Sequence, residues 1–162
     1  MKMKARPYWC YVLSLIAFLG FIFIAYAVDV RDYVNDSLTM ILLLSILFFW
    51  YDLFKLKPWI YLTITSAFAL HNLGVFGYYN VSPIFLQWDH LTHLAGEFSA
   101  GVFVYNYAYE SGFFKSKSKG DKAILVLGTI LAAMGIGVFV EFMEFYGYFV
   151  VGDGLGIFGH GL

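Results

Sequence analysis

Asp89, His90, His93 and Glu97 lie within nine consecutive residues, and the chain then continues as FSAGVFVYNYAY, which is almost wholly apolar. On an α-helix, with Asp89 at zero, His93 falls at about 40°, Glu97 at about 80° and His90 at about 100°, because residues four apart drift slowly around the axis. All four therefore share one face. Imidazoles and carboxylates so gathered can bind a divalent metal; imidazole suits zinc, iron or copper, and carboxylate suits manganese or magnesium. The same groups can relay protons instead, since imidazole titrates near neutrality and burial raises carboxylate pKa values. The His93–Glu97 spacing does not match a dedicated metal signature such as H-E-x-x-H. A purely structural reading is a hydrogen-bonded cluster that locks helices together. On that reading Asp89 is only the N-cap of its helix and His90 sits in headgroup water.

Two other stretches have matching groups. Ala133, Gly137 and Glu141 follow one another at i+4 on a second apolar run, and Glu144 adds a carboxylate one turn on. His71 and Asn72 lie together on a third. Gly96 and Ala100 extend the His93–Glu97 face as a seam of small residues, which lets a neighbouring backbone approach closely. By depth, Glu97 lies about 14 Å below Trp88 and His71 about 12 Å below the same boundary, so three helices bring ionisable groups to one layer. A charge at the centre of a membrane helix costs about 2.5–3.5 kcal/mol, so such groups are paired or face an internal cavity. The candidate ligand set for a divalent metal ion is then His71, Asp89, His93, Glu97, Glu141 and Glu144. In a hydrolytic version Glu97 or Glu141 is the general base toward metal-activated water.

The elements that must position these groups follow from composition. The chain has 162 residues, is 61% hydrophobic and only 13% charged. Soluble domains carry about 25% charged residues, so charge is too sparse to cover a water-facing surface. A net charge of −1 gives no basic patch, which excludes nucleic acid as a partner, and the single Cys10 excludes an internal disulfide. A hydrocarbon core of about 30 Å needs roughly 20 apolar residues. Five stretches qualify or nearly so: Tyr8–Val28, Leu38–Phe54, Trp59–Tyr78, Trp88–Tyr109 and Ala123–Phe149. Asn35-Asp36-Ser37 offers N-caps for the second, and Pro58 suits the first turn of the third. Tyr8-Trp9, Trp50-Tyr51, Trp59, Tyr78-Tyr79, Trp88, Tyr107 and Tyr109 mark the boundaries as an aromatic belt at headgroup level. The expected fold is all-α, a single transmembrane domain of about five membrane-spanning helices.

Basic residues set the orientation. Lys2, Lys4 and Arg6 precede the first helix; Lys55 and Lys57 separate the second and third; Lys115, Lys117, Lys119 and Lys122 separate the fourth and fifth. Basic loops stay cytoplasmic, which places the N-terminus inside and the glycine-rich tail outside, in a cell membrane. A cleavable signal peptide ending at Ala25-Tyr26-Ala27 is the alternative for the first helix, whose apolar run is longer than the usual one of about 7–15 residues. The tail, residues 152–162, is expected to fray, or to fold back so that Asp153 and His160 join the site. Its abrupt end reads as a fragment lacking a further helix.

The stretch Trp88-Asp89-His90-Leu91-Thr92-His93-Leu94-Ala95-Gly96 resembles a segment of the YjdF-like polytopic membrane proteins of bacteria and archaea, and more distantly the VanZ-like proteins. Glu141-Phe142-Met143-Glu144-Phe145 and the glycines after it resemble that family's second acidic helix and following loop. The likeness covers about half of the chain. It implies a membrane address and a shared polar site, and supplies no substrate. Together these features lead to an integral membrane protein with an outward-facing His/carboxylate site, acting on or binding a lipid or envelope precursor. Proton or small-ion transport and a structural or assembly role are the alternatives.

Overall fold

The computed structural model describes residues 6–30, 34–79, 85–112 and 118–151. They form five helices: α1 (Tyr8–Ala27), α2 (Val34–Phe49), α3 (Pro58–Leu73), α4 (Trp88–Glu110) and α5 (Lys119–Val151). The architecture is all-α, with no strand among the described residues. Length and apolarity qualify two of them to cross a membrane, α1 and the Lys119–Met143 part of α5, with α2 as a shorter apolar helix. Of the five expected spans, two are therefore candidates by length and composition. α3 is too short at 16 residues, and α4 is made too polar by its first turns.

Cross-links fix an up-down-up-down-up order. Tyr11 hydrogen-bonds Ser45 at 3.0 Å between α1 and α2, and Ser14 bonds Thr65 at 2.9 Å between α1 and α3. The Tyr61 hydroxyl, fully buried, donates to the Leu44 carbonyl at 3.1 Å, joining α3 to α2. Around these bonds Phe18, Met40, Leu44, Phe48 and Ile60 form the apolar core of a three-helix unit. In hydrocarbon such bonds act as glue, each contributing on the order of 0.6–2 kcal/mol.

α4 lies antiparallel on α3. The Trp88 indole donates to the Leu70 carbonyl at 3.0 Å, Ser99 to Thr63 at 3.3 Å and Asn106 to Lys55 at 2.8 Å. α5 packs chiefly on α4, its outer side left bare; Val138 is 69% exposed, as is Phe23 of α1 at 75%. Apolar surface turned outward on this scale suits a lipid surround and not water.

Several sequence boundaries shift for physical reasons. α3 stops at Leu73 because a π-turn follows over Gly74–Tyr78, where Gly77 takes φ +116, a left-handed value that a side chain disfavours. α2 starts earlier than expected, so Asn35-Asp36-Ser37 lies inside it; Ser37 donates to Asn72 Oδ1 instead of capping the helix. α5 starts at Lys119 because Ser118 and Asp121 satisfy each other's backbone N–H groups at 3.0 and 3.1 Å. Pro58 occupies the first turn of α3 as expected. Trp88 is not a belt residue: it is buried, 4.8 Å from the Tyr78 ring, and holds the start of α4 against the end of α3.

Candidate functional site

The α4–α5 contact climbs in single helical turns. Gly101 faces Ala133, with only 3.6 Å between the Ala133 methyl and the place a Cβ on Gly101 would take. One turn up, the Glu97 carboxyl lies where a Cβ on Gly137 would sit. Another turn up, His93 Nδ1 stands 3.5 Å from Glu141 Oε1. On the i+4 ladders of both helices, Gly137 is thus the residue that lets Glu97 fit between two backbones. Gly96 does not contribute to this close approach; it faces open space.

His93 is the junction of the site. Its Nε2 lies 3.4 Å from Asp89 Oδ1 on its own helix, while Nδ1 addresses α5. A neutral imidazole can donate from only one nitrogen and an imidazolium from both. How many of the two carboxylates His93 holds by hydrogen bonds therefore depends on its proton. His71, near the end of α3, shares a 2.9 Å hydrogen bond between Nδ1 and the Tyr79 hydroxyl. Tyr79 reaches it because the π-turn folds the chain back; a Cβ on Gly74 would enter the Tyr79 ring.

Between α2, α3, α4 and α5 lies a cleft of about 340 Å³. His71, Tyr79, His93 and Glu97 line it, and since α3 ends and α4 begins on that side, they sit toward one end. Leu47, Ile64 and Phe103 carry the wall on toward the other end. Binding pockets run from about 300 to 1,000 Å³ and are mostly apolar with a few convergent polar groups, which is the make-up found here. α2 and α5 both line the cleft, Leu43 and Leu47 from the one and Ile136 and Val140 from the other.

The sequence-derived residues are distributed as follows. His71, His93 and Glu97 share the cleft, and Asp89 and Glu141 flank His93 from the exposed side. His90 is exposed and does not line the cleft. Asn72 does not accompany His71: it is buried against Ser37 and donates to the Phe68 carbonyl at 3.3 Å. The side chain of Glu144, and all of Asp153 and His160, lie outside the described residues. No group of three or more His, Cys, Asp or Glu among the described residues is placed to hold a metal ion. Tyr79, expected in the aromatic belt, belongs to the site, as do Thr92 and Ser99. Gly74 and Gly77 before Tyr79 permit the turn back, but nothing in the sequence marks which conformation they take.

Residues 8–158 match the sequence profile of a family described as Predicted membrane protein (DUF2238). The chain belongs to that family. The match spans all five helices, and the resemblance to YjdF-like proteins is consistent with it. No curated protein and no solved structure matches the chain. Family membership carries a membrane address and leaves the chemistry to the site itself.

Proposed function

We propose that this member of the family is a five-span protein of the cell membrane whose cleft binds an amphiphilic molecule, a lipid or envelope precursor, drawn sideways from the bilayer. The carrying observation is the cleft of about 340 Å³ with polar groups from α3 and α4 at one end and apolar walls beyond. An amphiphile has the same division. A hydrocarbon chain would enter from the lipid between α2 and α5, whose Leu43, Leu47, Ile136 and Val140 line the cleft. With basic loops cytoplasmic, the N-terminus is inside and the histidine end lies in the outer leaflet.

Binding is favoured over metal-assisted hydrolysis at Glu97 or Glu141 because no group of three or more ligands converges among the described residues. It is favoured over ion transport because the ionisable groups lining the cleft collect at one end. The test is native mass spectrometry of protein released from bilayers of defined lipid. One bound amphiphile per chain is expected, lost in Ala100→Leu, which fills the cleft. A wild-type protein that carries none from any lipid mixture removes the reading and leaves the polar groups as helix glue. Topology is checked separately with membrane-impermeant maleimide: Gln87→Cys should label from outside and Ser118→Cys should not.

A further inference from the structure

We infer that the ligand is a cationic amphiphile, a single hydrocarbon chain bearing an amine or quaternary ammonium head. The inference rests on the reading of the cleft as an amphiphile site and adds the sign of the headgroup.

The first ground is charge. Glu97 lines the cleft, and Asp89 and Glu141 flank His93 at 3.4 and 3.5 Å. Three carboxyls thus gather at this end against the two imidazoles of His71 and His93, with Asp89 and Glu141 on its exposed side. Neither Lys nor Arg lines the cleft among the described residues. A phosphate or carboxylate head needs such a fork or ammonium to replace its water, and finds none. An ammonium head meets the opposite situation.

The second ground is how the polar groups are already engaged. His71 is held by Tyr79 and His93 stands between two carboxylates, so both imidazoles have protein partners. Glu97 is different: its carboxyl is lodged against the bare backbone of Gly137, where no side chain intervenes, on the wall of the cleft. The third ground is aromatic. Phe68 and Tyr79 line the same cleft as Glu97, and an aromatic face attracts a desolvated cation, a quaternary ammonium above all.

The experiment uses the full chain in nanodiscs with three radiolabelled probes: dodecyltrimethylammonium, dodecanol and dodecyl phosphate. Empty nanodiscs supply the partitioning background. The cationic probe should bind saturably, at least about tenfold tighter than either other probe, and Glu97→Gln should weaken it by about tenfold or more. Equal or tighter binding of the alcohol or the phosphate overturns the inference and leaves the amphiphile site standing. Saturable binding of none of the three overturns the inference together with the reading beneath it. Cationic binding untouched by Glu97→Gln also overturns it, since the head then sits elsewhere. If Glu97→Gln does not fold, Ala100→Leu serves in its place: it keeps every charge and should abolish binding by filling the chain's path, and retained binding sinks the inference.

Discussion

The two ends of the bundle handle charge in opposite ways. At the N-terminal end of α1, Arg6 pairs with Asp52 at 3.0 Å and Lys57 with Glu110 at 2.8 Å, each permanent cation taking its own carboxylate. These pairs are half-exposed and join chain segments that would otherwise splay. At the far end, one imidazole serves two carboxylates, another is held by a phenol, and a cleft opens beside them. Ion pairs between matched charges can close a structure, while a surplus of one sign beside a void leaves room for something to arrive. What differs is that at the far end no Lys or Arg lines the cleft beside the carboxylates, among the described residues.

That contrast can be broken by substitution, and the largest effect belongs to the α4–α5 notch. Gly137→Leu puts a side chain where the Glu97 carboxyl lies, and overpacking of this kind costs about 1–3 kcal/mol. Its apparent melting temperature in nanodiscs should fall clearly, and amphiphile binding should vanish. A variant that melts like wild type would mean that α5 does not approach α4 this closely.

Trp88→Phe comes next. It keeps the ring contact with Tyr78 and removes the indole donor to Leu70, a loss of about 1 kcal/mol for a half-buried bond. Hydrogen exchange of the α3 carboxyl-terminal turn should rise with it; unchanged protection there would return Trp88 to the aromatic belt. The smallest effect is expected at the opposite end. Lys57→Ala breaks a half-exposed pair that contributes under about 1 kcal/mol and is screened by salt. Should it destabilise as much as Gly137→Leu, the division between a closing end and a receiving end is wrong.

Much of the helical plan was legible because it depends on spacing alone. Five apolar runs gave five helices, and the ladders Asp89–His93–Glu97 and Ala133–Gly137–Glu141 met each other because i+4 repeats on two helices align wherever small residues admit close packing. Other features depend on partners far away in sequence. Trp88 and Tyr79 have the character of interfacial residues, and nothing local says that Leu70 and His71 await them. Asn35-Asp36-Ser37 has the composition of a cap, yet Ser37 is claimed by Asn72 thirty-five residues on. The early stop of α3 needed the left-handed Gly77, and a lone glycine in an apolar run looks the same in either conformation. The cleft itself is what four helices fail to fill, and such a void is not written in any one of them.

The helices that border the cleft differ in length, with a consequence for the bilayer. α2 and α3, at 16 residues each, reach about 24 Å, whereas α5, at 33 residues, reaches about 50 Å. If all five helices span, as proposed above, a hydrocarbon slab of about 30 Å would thin beside the short pair and thicken or tilt beside the long one. α2 and α5 both border the cleft, so those two demands fall on either side of it. On that reading, lipid facing the cleft is held to two thicknesses at once, and a molecule leaving the bilayer there would give up less neighbourly packing.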